Sequence, residues 1–283
     1  MKIGFIGNGY VGKHIADDFE ARGYSVVRYA LEAPYNENKE VVGACDIIFL
    51  AVPTPTTPEG FNGSIVENAL ALVQPGKIVV IKSTVTPGTT KRLQEKYPEL
   101  ILLFSPEFLR EATAAHDAAH PFAVIVGSPV ADDVHGRAAA QLLEILPEAP
   151  KRVICGSTEA EMMKYSQNVM GYVTIVFFNL LYDINAALGG DWEVVRSLLA
   201  ADPDTASRFA NPVHKGGRGA GGNCLIKDFA AMRELYEKHL AHDTAALALM
   251  RSMEAKNIEL LVSSGKTVDI VRAVYGDGVA PQK

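Results

Sequence analysis

Apolar residues along the first half of the chain fall into short continuous runs: "KIGFIG", "YSVVRYA", "CDIIFLAV", "GKIVVIKS", "LILLFSP" and "PFAVIVGS". Runs of this length, bounded by turn-forming residues, read as strands buried on both faces, and helix-period stretches lie between them. That alternation predicts an α/β fold with a doubly wound parallel sheet. After "PKRVICGS" the pattern changes: Thr158 to Leu188 reads as one long helix, Trp192 to Ala200 as a shorter one, and Phe229 to Ser263 as one or two more. The expected organisation is a first domain over residues 1–156 and an all-helical second domain over 157–283, the long helix connecting them behind a "STEAE" cap. The last stretch, "SSGKTVDIVRAVYGDGVAPQK", has one short apolar run and a loose polar end.

With 283 residues, 48% apolar and 21% charged, the chain has room for two modest domains. A formal net charge of -6 and the lack of any basic run or basic helix face argue against a nucleic-acid partner. The opening "MKIGFIGNGYVG" carries one lysine and is too short and glycine-rich for a signal peptide, so the chain is expected in the cytoplasm. The most apolar later segment, Val169 to Tyr182, contains Asn179 and is bounded by Lys164 and Asp183. It reads as a buried or homodimer-forming helix rather than a membrane span. Three cysteines, Cys45, Cys155 and Cys224, show no short pair spacing, which argues against a disulfide frame or a metal site. A thiol with a role here is expected to be reactive.

Gly7, Gly9 and Gly12 in "GFIGNGYVG" form G-x-G-x-x-G between a predicted strand and a predicted helix. The first glycine makes the tight turn, the second lets a pyrophosphate approach, and the third lets helix and strand pack closely. The helix N-terminus, with Tyr10 and Val11 inside the fingerprint, faces the phosphates with partial positive charge. The first domain is therefore expected to be a Rossmann unit binding NAD. At the end of the next strand, Ala30 stands where an acidic residue usually binds the adenosine ribose; Glu32 could substitute, while Arg28 and Tyr29 leave the 2'-phosphorylated cofactor open. Thr54 in "AVPTP" lies at another strand end, where it would line the cofactor crevice.

"GGRGAGGNCLIKD", residues 216 to 228, sets Cys224 among glycines and ahead of Lys227 and Asp228. Glycines this dense are read as room for a substrate carbon to reach a thiolate, with the charged pair nearby helping the thiolate form. Lys164 and Asn168 lie four apart on the long helix, hence on one face, where an ammonium and an amide could converge on a developing oxyanion. Glu107 and Glu111 in "SPEFLRE" are also four apart if Pro106 opens a turn of helix. Each has a plainer reading as well: a buried cysteine at a helix start, a solvated lysine and amide, two solvated carboxylates.

Together "KSTVTPGTT" (82–90), "FSPEFLREA" (104–112), "AEMMKYSQN" (160–168) and "GGNCLIKD" resemble the UDP-glucose/GDP-mannose dehydrogenase family from residue 1 to about residue 265. The resemblance implies a cytoplasmic enzyme that oxidises the C6 alcohol of a nucleotide sugar, UDP-glucose foremost, to a carboxylate with two NAD+, passing through a thiohemiacetal and a thioester. It implies Cys224 as nucleophile, Lys164 and Asn168 polarising the alkoxide, and Asp228 positioning water or stabilising charge. Glu107 would be the general acid/base of thioester hydrolysis, Glu111 would lie near the nicotinamide, and Thr84 would hold the catalytic water and contact the cofactor. Lys227 joins the cofactor set. Phe108, Leu109, Phe209, Asn211 and Gly221 join the substrate set.

The chain also departs from that pattern. Family members usually continue into a third, nucleotide-holding domain; the family's arginine before the substrate loop is replaced by Thr205 with Arg208 nearby, and Ile226 stands for a proline in the cysteine motif. An insert brings His214 and Lys215, with Arg218 close behind, and reads either as a phosphate clamp replacing part of that domain or as a longer surface loop. Two other functions stay open: a two-domain 3-hydroxyacid dehydrogenase, which needs no thiol, and a non-catalytic NAD-binding sensor or partner subunit.

Overall fold

The computed structural model describes residues 1–202 and 209–279; Thr205 and Arg208 lie outside the described residues. In chain order the elements are β1 (Lys2–Ile6), α1 (Tyr10–Ala21), β2 (Ser25–Tyr29), α2 (Lys39–Val42), β3 (Ile47–Leu50), β4 (Thr56–Thr57), β5 (Gly60–Phe61), α3 (Ser64–Leu70), β6 (Ile78–Ile81), α4 (Thr89–Lys96), β7 (Ile101–Phe104), α5 (Ala114–Ala119), β8 (Ala123–Ser128), α6 (Asp133–Ile145) and β9 (Lys151–Gly156). The remaining helices are α7 (Ser157–Ala187), α8 (Trp192–Ala201), α9 (Asn223–Leu240), α10 (Thr244–Ser263) and α11 (Val268–Tyr275).

The chain divides into two units. The first comprises Met1–Thr54 and Asn62–Lys164, the second Pro55–Phe61 and Tyr165–Lys283. Relative to a boundary at 156/157, the opening turns of α7 go with the first unit, where Ala160, Glu161 and Lys164 are buried. The short hairpin β4–β5 goes with the second, where Thr56 Oγ1 donates to the Lys227 carbonyl at 3.1 Å and the Phe61 N–H to Glu234 Oε2 at 3.3 Å.

The first unit holds a seven-stranded sheet in the order β2-β1-β3-β6-β7-β8-β9. Its central strands are buried along nearly their whole length, as continuous Val/Ile/Leu/Phe runs require when helices cover both faces. Phe5 and Phe49 stack at 4.9 Å in that core and Phe19 of α1 packs on both. All neighbours are parallel except β7 and β8, which pair antiparallel through Phe104 and Gly127. The strand order reverses between β1 and β3, and crevices at such reversals are where sheets of this kind bind ligands.

In the second unit Tyr172 of α7 stacks on Phe229 of α9 at 4.0 Å. Ile226, Leu261, Val271 and Val274 join α9, α10 and α11 in a second cluster. The short apolar run of the last stretch thus forms a core helix, α11. Further along α7, Met170, Phe177, Leu181, Ile184 and Leu188 are exposed, and their spacing of three, four or seven puts them on one stripe. Among the described residues α7 is the one helix long and apolar enough to cross a bilayer.

Candidate active site

At the end of β1, Gly7 takes a left-handed φ of +98°, and a Cβ there would meet the Ala51 carbonyl oxygen at 2.4 Å. A Cβ at Gly12 would lie 1.9 Å from the Gly7 oxygen, so β1, β3 and α1 close on each other only with glycine at both places. A Cβ at Gly9, the residue capping α1, would meet nothing within 4 Å. Open space before a helix N-terminus, beside the strand-order reversal, is the arrangement a dinucleotide pyrophosphate requires, and these residues fit NAD. Tyr10 and Val11 form the first turn of α1, with Tyr10 exposed.

Arg28 is buried, and its guanidinium pairs with Asp17 and Glu20, both at 2.7 Å. These carboxylates raise its pKa further, although burial opposes them. It is therefore committed to α1 rather than presented to a 2'-phosphate, which removes the strongest argument for the phosphorylated cofactor.

Beyond β3 and β6 the backbone is tied together by hydroxyls. Ser83 Oγ donates to the Val52 carbonyl and accepts from its N–H, and Thr54 Oγ1 donates to the Thr84 carbonyl at 2.7 Å. The loop after Thr84 runs into α4, whose N-terminus is closed by the Glu161 carboxylate. That group accepts from the Gly88 N–H (2.6 Å), the Thr90 N–H (2.8 Å) and Thr90 Oγ1 (2.6 Å). Glu161 is wholly buried, and desolvation pushes its pKa up against these three bonds. One turn later on α7, Lys164 Nζ contacts Glu107 Oε1 at 3.0 Å and donates to the Glu107 carbonyl at 2.8 Å.

Residues 105–110 form neither helix nor strand, so Glu107 and Glu111 do not share a helical face. Glu107 instead turns its other oxygen, Oε2, to the Leu109 N–H at 2.8 Å, satisfying locally what a helix would satisfy internally. Phe108 packs on Phe122 with ring centroids 4.8 Å apart, and Leu109 packs against the sheet core. Glu111 is exposed in the following turn.

In the second unit Cys224 is exposed in the first turn of α9. Cys45 and Cys155 lie in less polar surroundings, and burial pushes both thiols up. Asp228, one turn along α9, is fully buried between Lys227 Nζ (2.5 Å) and Asn168 Nδ2 (2.5 Å). Lys164 is engaged with Glu107 in the first unit, and Asn168 with Asp228 in the second.

The glycines ahead of Cys224 serve mainly to let chain pack on chain. A Cβ at Gly217 would meet Lys266 Cβ at 2.7 Å, one at Gly219 would meet Asn257 Oδ1 at 3.0 Å, and one at Gly221 would meet Lys266 Cε at 2.9 Å. Gly216 and Gly222 are open, and Gly222, with φ +86°, caps α9 two residues before the thiol. Arg218 is engaged by α7. It bonds Asn179 Oδ1 (2.9 Å) and the Asn179 carbonyl (3.1 Å), and pairs with Asp183 at 2.7 Å, anchoring the loop to α7. Phe209 packs where Gly171 leaves room on α7, and Asn211 is exposed. Lys82 and the closure of α4 by Glu161 were not found from the sequence, because the partners that bury both groups, Ser105 and Pro106 for the one, Gly88 and Thr90 for the other, are distant along the chain. Among the described residues no group of three or more His, Cys, Asp or Glu side chains is arranged to hold a metal ion.

Residues 26–146 match the NAD binding domain of the UDP-glucose/GDP-mannose dehydrogenase family, and residues 158–258 match its central domain. The chain is 27% identical over 283 aligned residues to a UDP-glucose 6-dehydrogenase of Rickettsia felis, a match covering 84% of this chain and 61% of the relative. It is 30% identical over 238 to a UDP-glucose 6-dehydrogenase of Pseudomonas aeruginosa, covering 78% and 51%. The chain thus spans between half and two thirds of the length of these two relatives. A UDP-glucose dehydrogenase structure from the archaeon Pyrobaculum islandicum superposes with a TM-score of 0.77 at 25% identity, covering all of this chain and 86% of that one.

Proposed function

The chain belongs to the UDP-glucose/GDP-mannose dehydrogenase family, carrying its NAD binding and central domains, and we propose that it oxidises the C6 alcohol of a nucleotide sugar, UDP-glucose first, to the carboxylate. Cys224 carries the reading: an exposed thiol at a helix start behind an open glycine, one turn before the buried Asp228 that Asn168 and Lys227 bond. Bound NAD+ supplies the hydride acceptor, one molecule for each of the two oxidations.

Loss of the first hydride from C6 and of the hydroxyl proton gives an aldehyde. The Cys224 thiolate adds to its carbon, forming a C–S bond and a thiohemiacetal; loss of the second hydride gives a thioester, and water splits the C–S bond to release the acid and return the thiolate. Lys164 supplies an ammonium for oxygen charge in these steps, Asn168 an amide donor, Glu107 a carboxylate to move the hydrolytic proton, and Asp228 holds the amide and Lys227 in place. Thr84, bonded through its carbonyl to Thr54, is assigned to water and cofactor, as are Glu111 and Lys227 to the cofactor; Phe108, Leu109, Phe209, Asn211 and Gly221 are assigned to the sugar nucleotide. The exposed stripe on α7 supports a homodimer formed through that helix, and the net charge of -6 supports a reading without a nucleic-acid partner.

The test is the NADH formed per UDP-glucose consumed, for the wild type and for Cys224→Ser, with GDP-mannose and UDP-N-acetyl sugars alongside. Two NADH per sugar, lost or stalled in the variant, is the expected result. NAD binding without reduction on any sugar would overturn the proposal in favour of a cofactor-binding partner, and sedimentation of a monomer would remove the dimer.

A further inference from the structure

A buried ammonium costs several kcal/mol of lost hydration, so one that meets no carboxylate calls for a reason. Lys82 stands immediately after β6 and is buried. Its Nζ donates to Ser105 Oγ at 3.1 Å and to the Pro106 carbonyl at 3.3 Å, both uncharged oxygens on the segment leaving β7. The next residue is Glu107, whose carbonyl and carboxylate receive Lys164. Residues 105–110 form no helix or strand; the Ser105 N–H still donates to the Ile81 carbonyl at 3.0 Å, and beyond that bond side chains and the Leu109 N–H hold the segment. Burial and the neighbouring Lys164 charge pull the Lys82 pKa down to about 8 against the opposing pull of Glu107. A methionine would fill much the same volume without that cost, but it could not bond the two oxygens that precede Glu107.

We propose that Lys82 is a positioning residue for the Glu107–Lys164 pair, clamping Ser105 and Pro106 so that the irregular segment presents the Glu107 carboxylate in one orientation. The role rests on the reading that Glu107 and Lys164 serve the oxidation. Displacing a reacting group by about 1 Å costs up to about a hundredfold in rate, so the clamp has a measurable consequence.

The test compares wild type, Lys82→Met and the milder Ser105→Ala by amide hydrogen exchange across residues 105–110 and by steady-state kinetics with UDP-glucose and NAD. Expected in Lys82→Met are exchange at Leu109 at least about tenfold faster with α6 unchanged, and kcat lower by about ten- to a hundredfold with KM for NAD unchanged. Ser105→Ala should move both readouts the same way by less, and it decides the matter if Lys82→Met does not fold. Unaltered exchange at 105–110, or exchange that quickens equally throughout the first unit, would overturn the clamp. A wild type that oxidises no sugar would sink the proposed function, while the exchange comparison still decides for or against the clamp.

Discussion

Two glycine-rich loops, residues 7–12 and 216–222, look alike as text and differ as structures. In each, most glycines are there because a neighbouring part of the chain occupies the space of a side chain: the Gly7 and Ala51 carbonyls in the first, Lys266, Ser264 and Asn257 in the second. In each, a glycine at which a Cβ would meet no atom within 4 Å stands at the start of a helix: Gly9 before α1, Gly222 before α9. The difference lies in the residues just beyond that open glycine. After Gly9 comes only helix backbone, suited to phosphate oxygens; after Gly222 comes a thiol two residues on. Glycine content therefore marks tight packing, and an unobstructed glycine at a helix start leaves room for a ligand only where no side chain closes that start, as Glu161 closes α4 behind Gly88.

Substitutions that separate packing glycines from open ones break or sharpen this comparison. Gly12→Ala should have the largest effect, destabilising the first unit by about 3 kcal/mol or preventing its folding, because its Cβ would lie 1.9 Å from the Gly7 oxygen. Gly9→Ala should leave urea unfolding within about 0.5 kcal/mol of wild type while weakening NAD binding by calorimetry. Equal loss of stability in the two would erase the distinction.

A second contrast lies in buried charge. The folded chain releases the Lys82 proton near pH 8, whereas the unfolded chain holds it to about 10.5. Between those values the unfolded state binds more protons, so stability attributable to this group rises with pH and is lowest below pH 8. Urea titrations at pH 7 and pH 10 should show wild type gaining on Lys82→Met by a few kcal/mol, about 1.4 for each pH unit crossed. A pH-independent difference would show that Lys82 is not titrating there.

Smaller again is Gly222→Ala, expected to cost about 1–2 kcal/mol in thermal melts because φ is +86°, although the added Cβ would clash with nothing. Least of all, Cys155→Ser on the half-exposed strand β9 should leave NADH production within about twofold of wild type, in contrast with Cys224→Ser. A comparable loss would move the nucleophile's role away from Cys224.

Much of the first unit was legible because doubly buried strands announce themselves as unbroken apolar runs, and the glycine fingerprint has a fixed relation to strand and helix. The antiparallel turn-back at β8 was not legible, since a parallel and an antiparallel strand can carry the same residues. Pro106 suggested a helix that the structure lacks, because Glu107 prefers its own local bond to Leu109 N–H. Arg218 read either as part of a phosphate clamp or as part of a surface loop, and spacing could not show that Asp183 and Asn179, far off in sequence, bond it. The α11 helix was passed over because its apolar run is short, although Val271 and Val274 complete a core built from α9 and α10. Residue types and local spacing identified Cys224, Asp228, Lys164 and Asn168; which partner each one takes depends on tertiary contacts that spacing does not encode.

The placement of β4–β5 and Glu161 bears on how such a protein can be rearranged by recombination. A gene segment ending at Gly156 would carry a hairpin whose bonding partners, Lys227 and Glu234, lie on the other side of the cut, and would omit the carboxylate that closes α4. The dinucleotide module is thus not a freely exchangeable cassette at that border. A viable crossover has to preserve the opening turns of α7 with the sheet and the hairpin's partners with α9, which confines the seams at which this chain can be shuffled with its relatives.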